Sequence, residues 1–356
     1  MNSGSPKRIA IFRALQLGDM LVAVPALRAL RKRFPKAEIT LIGLPWAAVF
    51  ARRFARYIDR FVEFAGYPGI SEAEGDAEGT QRFFEEQRAY GYDLVLQMHG
   101  DGRISNEVAL ALGGKVMVGY FLDEQPEGLT IGAPYPQDIH EIKRNLGLVA
   151  LVGCSAEDTR LEFPLLSEDQ REGAALLRDL PRANRPWIGI HAGARPPARR
   201  WPAKRFARVA DELARRTGGQ IILTGGPDEL ETVQAVVKAM KTPAINLAGK
   251  TSLGGLAALI GQLDLFVTND TGPSHIACAV NTPSVTVFGP ADPVRWSPLD
   301  SERHPIVRHP VPCSPCNFWE CPIDHGCLRG IRPERVIEAA VRLLVKEGIS
   351  CDVSTY

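Results

Sequence analysis

Short apolar runs alternate with longer amphipathic stretches along most of this chain. In the first half, 8–13, 38–43, 60–64 and 92–97 are compact runs of Ile, Val, Leu and Phe, and each reads as a buried strand. Between the first two, Leu21, Val22, Ala26, Leu27 and Leu30 recur at helical spacing, with Pro25 expected to kink or divide that helix. The acidic piece from Gly69 to Thr80 has no apolar periodicity and reads as a loop. The stretch from Pro126 to Pro136 is rich in proline and glycine and reads as irregular. Helical patterns follow at 139–152 and 167–180. A second series then places strands at 187–191, 220–224, 244–247, 265–268 and 284–288, with helices in the gaps. A last helix over 332–348 is opened by Pro333 and closed by Gly348.

Strands alternating with helices predict parallel βαβ units, so the expected fold class is α/β: two doubly wound, Rossmann-like domains facing each other across a cleft. Pro181-Arg182-Ala183-Asn184-Arg185-Pro186 reads as the linker. The expected division is residues 1–180 as the first domain and 187–331 as the second, followed by a helix and tail at 332–356. The length of 356 residues agrees with two cores rather than one.

A net charge of +1 argues against a dedicated nucleic-acid binder. Locally, Arg28, Arg31, Lys32, Arg33, Lys36, Arg52, Arg53, Arg56 and Arg60 face only Glu38 and Asp59, a composition that suits an anionic partner or a membrane surface as well as a solvated helix face. No apolar run approaches the roughly 18 residues that span a bilayer. Arg13 interrupts the apolar start, which therefore does not read as a signal peptide, and a cytoplasmic location is expected.

The strand ends carry the candidate chemistry. Val267-Thr268-Asn269-Asp270-Thr271-Gly272-Pro273-Ser274-His275 leads a buried strand into a helix N-terminus, where unpaired N–H groups and the helix dipole favour an anion. Thr271 and Ser274 offer hydroxyls, Gly272 a close backbone approach, and His275 a ring nitrogen for phosphate. After residues 187–191 comes Ala192-Gly193-Ala194-Arg195-Pro196-Pro197-Ala198-Arg199-Arg200, small residues and arginines suited to phosphate. After 220–224 comes Gly225-Gly226-Pro227-Asp228-Glu229, whose carboxylates suit ribose hydroxyls or a base. Together the three loops describe a nucleoside-diphosphate site. Neither a P-loop motif nor G-x-G-x-x-G follows a first strand, which argues against a nucleotidase or a dehydrogenase. In the first half Gly18-Asp19 sits at a strand-to-helix turn, where a carboxylate could take a proton from a hydroxyl nucleophile. His99 and Arg103 also follow a strand. Asp19, Asp228, Asp270 and Thr271 fit equally well as helix N-caps, Glu229 as a first-turn dipole partner, and His99 as a structural histidine.

Four of the seven cysteines, Cys313, Cys316, Cys321 and Cys327, form C-x2-C-x4-C-x5-C within 313–327. In a reducing compartment the spacing suits a structural Zn or Fe, with reduced thiols or disulfides as the alternatives. Four thiolates leave no open position for catalysis.

Leu17-Gly18-Asp19-Met20-Leu21 with Pro25-Ala26-Leu27-Arg28-Ala29-Leu30, Arg200-Trp201-Pro202, Gly225-Gly226-Pro227-Asp228-Glu229 and Asn269-Asp270-Thr271-Gly272-Pro273-Ser274-His275, in that order, resemble glycosyltransferase family 9, the ADP-heptose:lipopolysaccharide heptosyltransferases. The resemblance implies a GT-B architecture with an N-terminal acceptor domain, a C-terminal nucleotide-sugar domain and a last helix returning towards the first. By position it implies Asp19 as general base, Asp270, Thr271, Gly272 and His275 as diphosphate and sugar contacts, and Glu229 as the nucleoside carboxylate. Arg199 falls where members usually have Lys, and a threonine pair of some members falls near Ala194. The implied reaction is inverting transfer of a heptose from ADP-heptose to a hydroxyl of a lipopolysaccharide-core or other glycan acceptor, with no catalytic cofactor. Peripheral contact with the inner face of the inner membrane follows from such an acceptor. A non-hydrolysing nucleotide-sugar epimerase and a non-catalytic nucleotide-sugar-binding protein are the alternatives.

Overall fold

The computed structural model describes residues 5–73, 75–178 and 185–352. The chain divides into two compact units, residues 1–164 and 165–356. In the first, β1 (Arg8–Phe12), β2 (Glu38–Gly43), β3 (Arg60–Glu63), β4 (Leu94–Gln97), β5 (Val116–Phe121) and β6 (Ile131–Pro134) form one sheet in the order β3-β2-β1-β4-β5-β6. In the second, β7 (Trp187–His191), β8 (Gln220–Thr224), β9 (Ala244–Asn246), β10 (Leu265–Asn269), β11 (Ser284–Phe288) and β12 (Ile306–Arg308) run β12-β11-β10-β7-β8-β9. Every neighbouring pair is parallel. The central strands β1, β4, β7 and β10 are buried, which is why they read as continuous apolar runs rather than alternating ones.

In each unit the strand order reverses once, between β1 and β4 and between β10 and β7. At such a switch point the following helices leave on opposite faces and open a crevice at the carboxyl ends of the strands. The Gly18–Asp19 turn and the His99–Arg103 loop follow β1 and β4. The 192–200 and 270–275 loops follow β7 and β10. The chain thus carries its candidate residues to the two places where this fold class binds ligands.

Several expectations are corrected by packing. The helix Leu17–Arg33 runs through Pro25 without division; residues 20–27 are buried, the helix packs on the helix Glu141–Ala150, and that packing outweighs the one backbone bond that proline removes. The 126–136 stretch contains β6, a short edge strand whose Gly132 and Pro134 hide any strand pattern. Residues 77–80 belong to a helix, Ala77–Tyr90, which Asp76 caps by accepting from the Gly79 N–H at 2.7 Å. The helix Ser167–Leu177, expected in the first domain, packs on Leu253–Ile260 of the second unit, so the division falls earlier than residue 180. The last helix, Pro333–Lys346, buries Val336, Ile337, Ala340, Leu343 and Leu344 in the second core, together with Phe206, Leu213 and Val285. Most of the expected linker lies outside the described residues.

Candidate functional site

In the first unit, the switch point is built over a buried cation. Arg13, at the end of β1, is 4% exposed. Its Nε and Nη2 donate to the Asp19 carbonyl at 3.2 and 2.7 Å, and its Nη1 donates to Asn145 Oδ1 at 3.2 Å and to the Met98 carbonyl. Asn145 in turn donates to the Val22 carbonyl at 3.3 Å. Burial pushes the Arg13 pKa down, and the Asp19 and Glu141 carboxylates oppose it. Asp19 itself sits in the first turn of the helix and is half-buried. The N-cap is Gln16, so the capping alternative for Asp19 does not describe this turn.

His99 is buried against Phe12, with ring centroids 5.1 Å apart, and its Nδ1 accepts the Ala14 N–H at 3.3 Å. Its Nε2 lies 3.8 Å from Glu72. Burial lowers its pKa to about 4 despite Glu72, so the ring is neutral near pH 7 and holds the strand ends together. Arg103 is exposed and forks onto Asp101 at 3.0 and 2.6 Å.

The second unit places its expected residues around one loop cluster. Asn269, at the end of β10, donates to the Ala192 and Gly193 carbonyls at 2.8 and 3.2 Å and accepts the Trp201 N–H at 3.1 Å. It thereby fixes the 192–201 loop, and Arg200 tightens that loop by donating to the Ala194 carbonyl at 2.7 Å. On this loop Arg199 pairs with Asp270 at 3.2 Å; the arginine side chain is 30% exposed and the carboxylate 4%. Burial raises the Asp270 pKa, and Arg199 opposes that shift.

Thr271 is the N-cap of the helix Gly272–Ala279 but makes no side-chain cap bond. The Ser274 hydroxyl donates to the Thr271 carbonyl at 2.7 Å, so its proton serves the helix turn rather than an incoming phosphate. His275 is buried beside Trp296. Glu229 ends a short 3-10 turn after β8, and its Oε2 accepts the Gly226 N–H at 2.8 Å. Its carboxylate lies against Gly193 so closely that a Cβ there would overlap it, which is the reason this loop needs glycine. Ala194 is buried beside it. Arg13 and His191 were given no site role by the sequence reading, and Asn269 entered it only as part of its motif; their position at strand ends was the available signal.

The four cysteines of 313–327 line one small cavity with Ala198, Pro290 and His325. The segment is tied to the Arg199 loop by Ala198 N–H donating to the Trp319 carbonyl at 3.0 Å, and to the β11 loop by Cys316 N–H donating to the Pro290 carbonyl at 2.8 Å. Burial raises the Cys327 pKa, and the other three sulfurs lie near enough to add to that shift. Among the described residues, no set of three or more His, Cys, Asp or Glu side chains is arranged to hold an ion.

Much of the early basic region has intramolecular partners. Arg28 pairs with Asp158 and Glu162 at 3.0 Å, Arg31 with Asp59, and Arg56 with Glu162. Arg53 donates to the Pro164 carbonyl at 2.8 Å and lies over Phe163, while Arg60 lies over Tyr90. Lys32, Arg33 and Lys36 remain exposed. No helix among the described residues is long and apolar enough to cross a membrane.

Known proteins share the fold. Residues 80–326 match the model of glycosyltransferase family 9 (heptosyltransferase). The chain is 31% identical to lipopolysaccharide heptosyltransferase 2 of Salmonella typhimurium, over 96% of this chain and 100% of the relative. Among solved structures, a family 9 glycosyl transferase from Veillonella parvula is 25% identical with a TM-score of 0.79, covering 96% of this chain and 98% of that one. The E. coli ADP-heptose lps heptosyltransferase II is 25% identical with a TM-score of 0.70, covering 96% and 99%. With two doubly wound parallel sheets of the GT-B type, the chain belongs to glycosyltransferase family 9 and is a glycosyltransferase.

Proposed function

We propose that this enzyme moves a heptose from ADP-heptose to a hydroxyl of a lipopolysaccharide-core or related glycan acceptor, with inversion at the anomeric carbon and without a catalytic metal. The observation that carries the reading is the Arg199–Asp270 pair beside the Gly272–Ala279 helix N-terminus: the carboxylate is sealed while the guanidinium reaches solvent, which suits a leaving diphosphate. The names of the Salmonella and E. coli relatives support heptose as the sugar and ADP as the leaving group.

In this mechanism Asp19 takes the proton of the acceptor hydroxyl. The oxygen forms its bond to the anomeric carbon as the bond from that carbon to the β-phosphate oxygen breaks, and ADP leaves with the electron pair. Arg199 and the N–H groups at the start of the 272–279 helix stabilise the charge growing on the leaving phosphate. Arg199 does with a planar fork what a lysine does with a point charge. Glu229 accepts from the nucleoside, and Gly193 and Ala194 let the donor approach the backbone.

The exposed Lys32, Arg33 and Lys36 support contact with an anionic glycolipid acceptor and hence a peripheral place at the inner membrane surface. His99 and Arg103 belong to the acceptor side of this reading through their position after β4. A structural Zn or Fe at Cys313, Cys316, Cys321 and Cys327 is supported by four thiols sharing one cavity, and holding an ion would require them to draw together. Metal analysis of the purified protein tests it.

The experiment for the whole reading is transfer from ADP-heptose to a heptose-deficient lipopolysaccharide core, with EDTA present and the product linkage assigned by NMR. An inverted linkage formed at an undiminished rate supports it. Epimerised sugar nucleotide without acceptor, or a rate restored only by added metal, refutes it.

A further inference from the structure

The donor-side unit holds a buried histidine that the mechanism above does not use. His191 is the last residue of β7, is 2% exposed, and is in register with Thr224 at the end of β8. Its Nδ1 lies 3.1 Å from Thr224 Oγ1, and its Nε2 lies 3.4 Å from Glu229 Oε2. Oε2 also accepts the Gly226 N–H, so one carboxylate oxygen is approached from two sides. Among the described residues nothing donates to the other oxygen, Oε1, which lies over the Gly193 backbone.

The tautomer follows from these neighbours. A carboxylate beside Nε2 requires a proton there, so Nδ1 is the acceptor and the Thr224 hydroxyl donates to it. Thr224 has a competing acceptor, the Ile190 carbonyl, but at the longer distance of 3.5 Å. Glu229 and Asp228 favour the imidazolium, while burial opposes it more strongly. A neutral ring with its proton on Nε2 satisfies all of these groups.

We propose that His191 is the positioning residue for nucleoside recognition: held by Thr224, it fixes Oε2 of Glu229 so that Oε1 is presented to the ribose hydroxyls or base of a nucleoside diphosphate. The inference rests on the assignment of Glu229 to the nucleoside and adds the chain of groups that aims it. Removing the aim frees the carboxylate to rotate, which weakens nucleoside contacts and leaves the pyrophosphate contacts of Arg199 and the helix N-terminus in place.

Calorimetric titration of the full-length protein with ADP and, separately, inorganic pyrophosphate tests this. His191→Leu is expected to weaken ADP about tenfold or more while changing pyrophosphate less than about twofold, as for loss of one charge-assisted hydrogen bond. His191→Gln, whose amide reaches towards the Nε2 position, recovers most of the affinity. In an E229Q background, His191→Leu adds little further loss. Thr224→Val gives a smaller loss in the same direction and serves if His191→Leu does not fold. Equal weakening of ADP and pyrophosphate, or additive losses in the double variant, overturns the proposal alone. Unchanged ADP affinity in E229Q overturns the Glu229 assignment and the proposal with it.

Discussion

The two switch points use the same ingredients in opposite order. In the first unit the cation is sealed: Arg13 is buried under the turn and bonded to carbonyls, while Asp19 is half-buried. In the second unit the carboxylate is sealed: Asp270 is buried and Arg199 is partly exposed above it. Each unit has a buried histidine at a strand end, His99 beside Glu72 and His191 beside Glu229. The two units thus bury opposite charges at their switch points, and in the proposed reaction Asp19 is the base and Arg199 the cation. A proton acceptor and a diphosphate site are what transfer of a sugar to an alcohol requires.

Removing the base breaks the comparison most severely. Asp19→Ala should lower kcat about 10³-fold, within the range for general bases, as read by ADP release at saturating acceptor. Next, Arg13→Met leaves the Asp19 and Met98 carbonyls and Asn145 without their buried donor. A loss of about 3 kcal/mol in urea unfolding is expected, and a loss below about 1 kcal/mol would show that this cation is dispensable. Arg199→Ala should lower kcat about 10²-fold, with Arg199→Lys retaining most of the rate, because leaving-group charge needs the cation more than the fork.

The smallest effect concerns the histidines. Burial lowers the pKa of His99 and of His304 to about 4, from 6.5. Between pH 6.5 and 4 the unfolded chain therefore binds more protons than the folded one. The stabilisation is complete above about pH 6.5 and is lost as pH falls towards 4. From pH 7 to pH 6 the two together should cost about 1 kcal/mol in urea unfolding. Replacing both by Gln should flatten that slope, and an unchanged slope would assign it to other groups.

The sequence made the alternation of strands and helices legible, because central parallel strands are apolar on both faces and stand out as runs. β5, β6 and β12 were harder to see: Gly119 and Pro134 interrupt two of them, and the third is three residues long, so sheet-edge pairing rather than pattern makes them strands. Pro25 was legible as a breaker, but the burial that overrides it was not. Gly18-Asp19 and the 269–275 loop carried their own local signal. Arg13 and His191 did not, nor did the bonds by which Asn269 holds the 192–201 loop, since their partners lie far along the chain and only the sheet brings them together. The same holds for the basic region, where Asp158, Glu162 and Pro164 neutralise or cap residues that composition leaves looking unpaired.

The most direct test of the inverted arrangement is calorimetric titration of ADP into the wild type, D19A and R199A. The account predicts wild-type affinity in D19A and a loss of about tenfold or more in R199A, since the nucleotide meets only the unit that places its cation uppermost. Weakened binding in D19A, or unchanged binding in R199A, would contradict it.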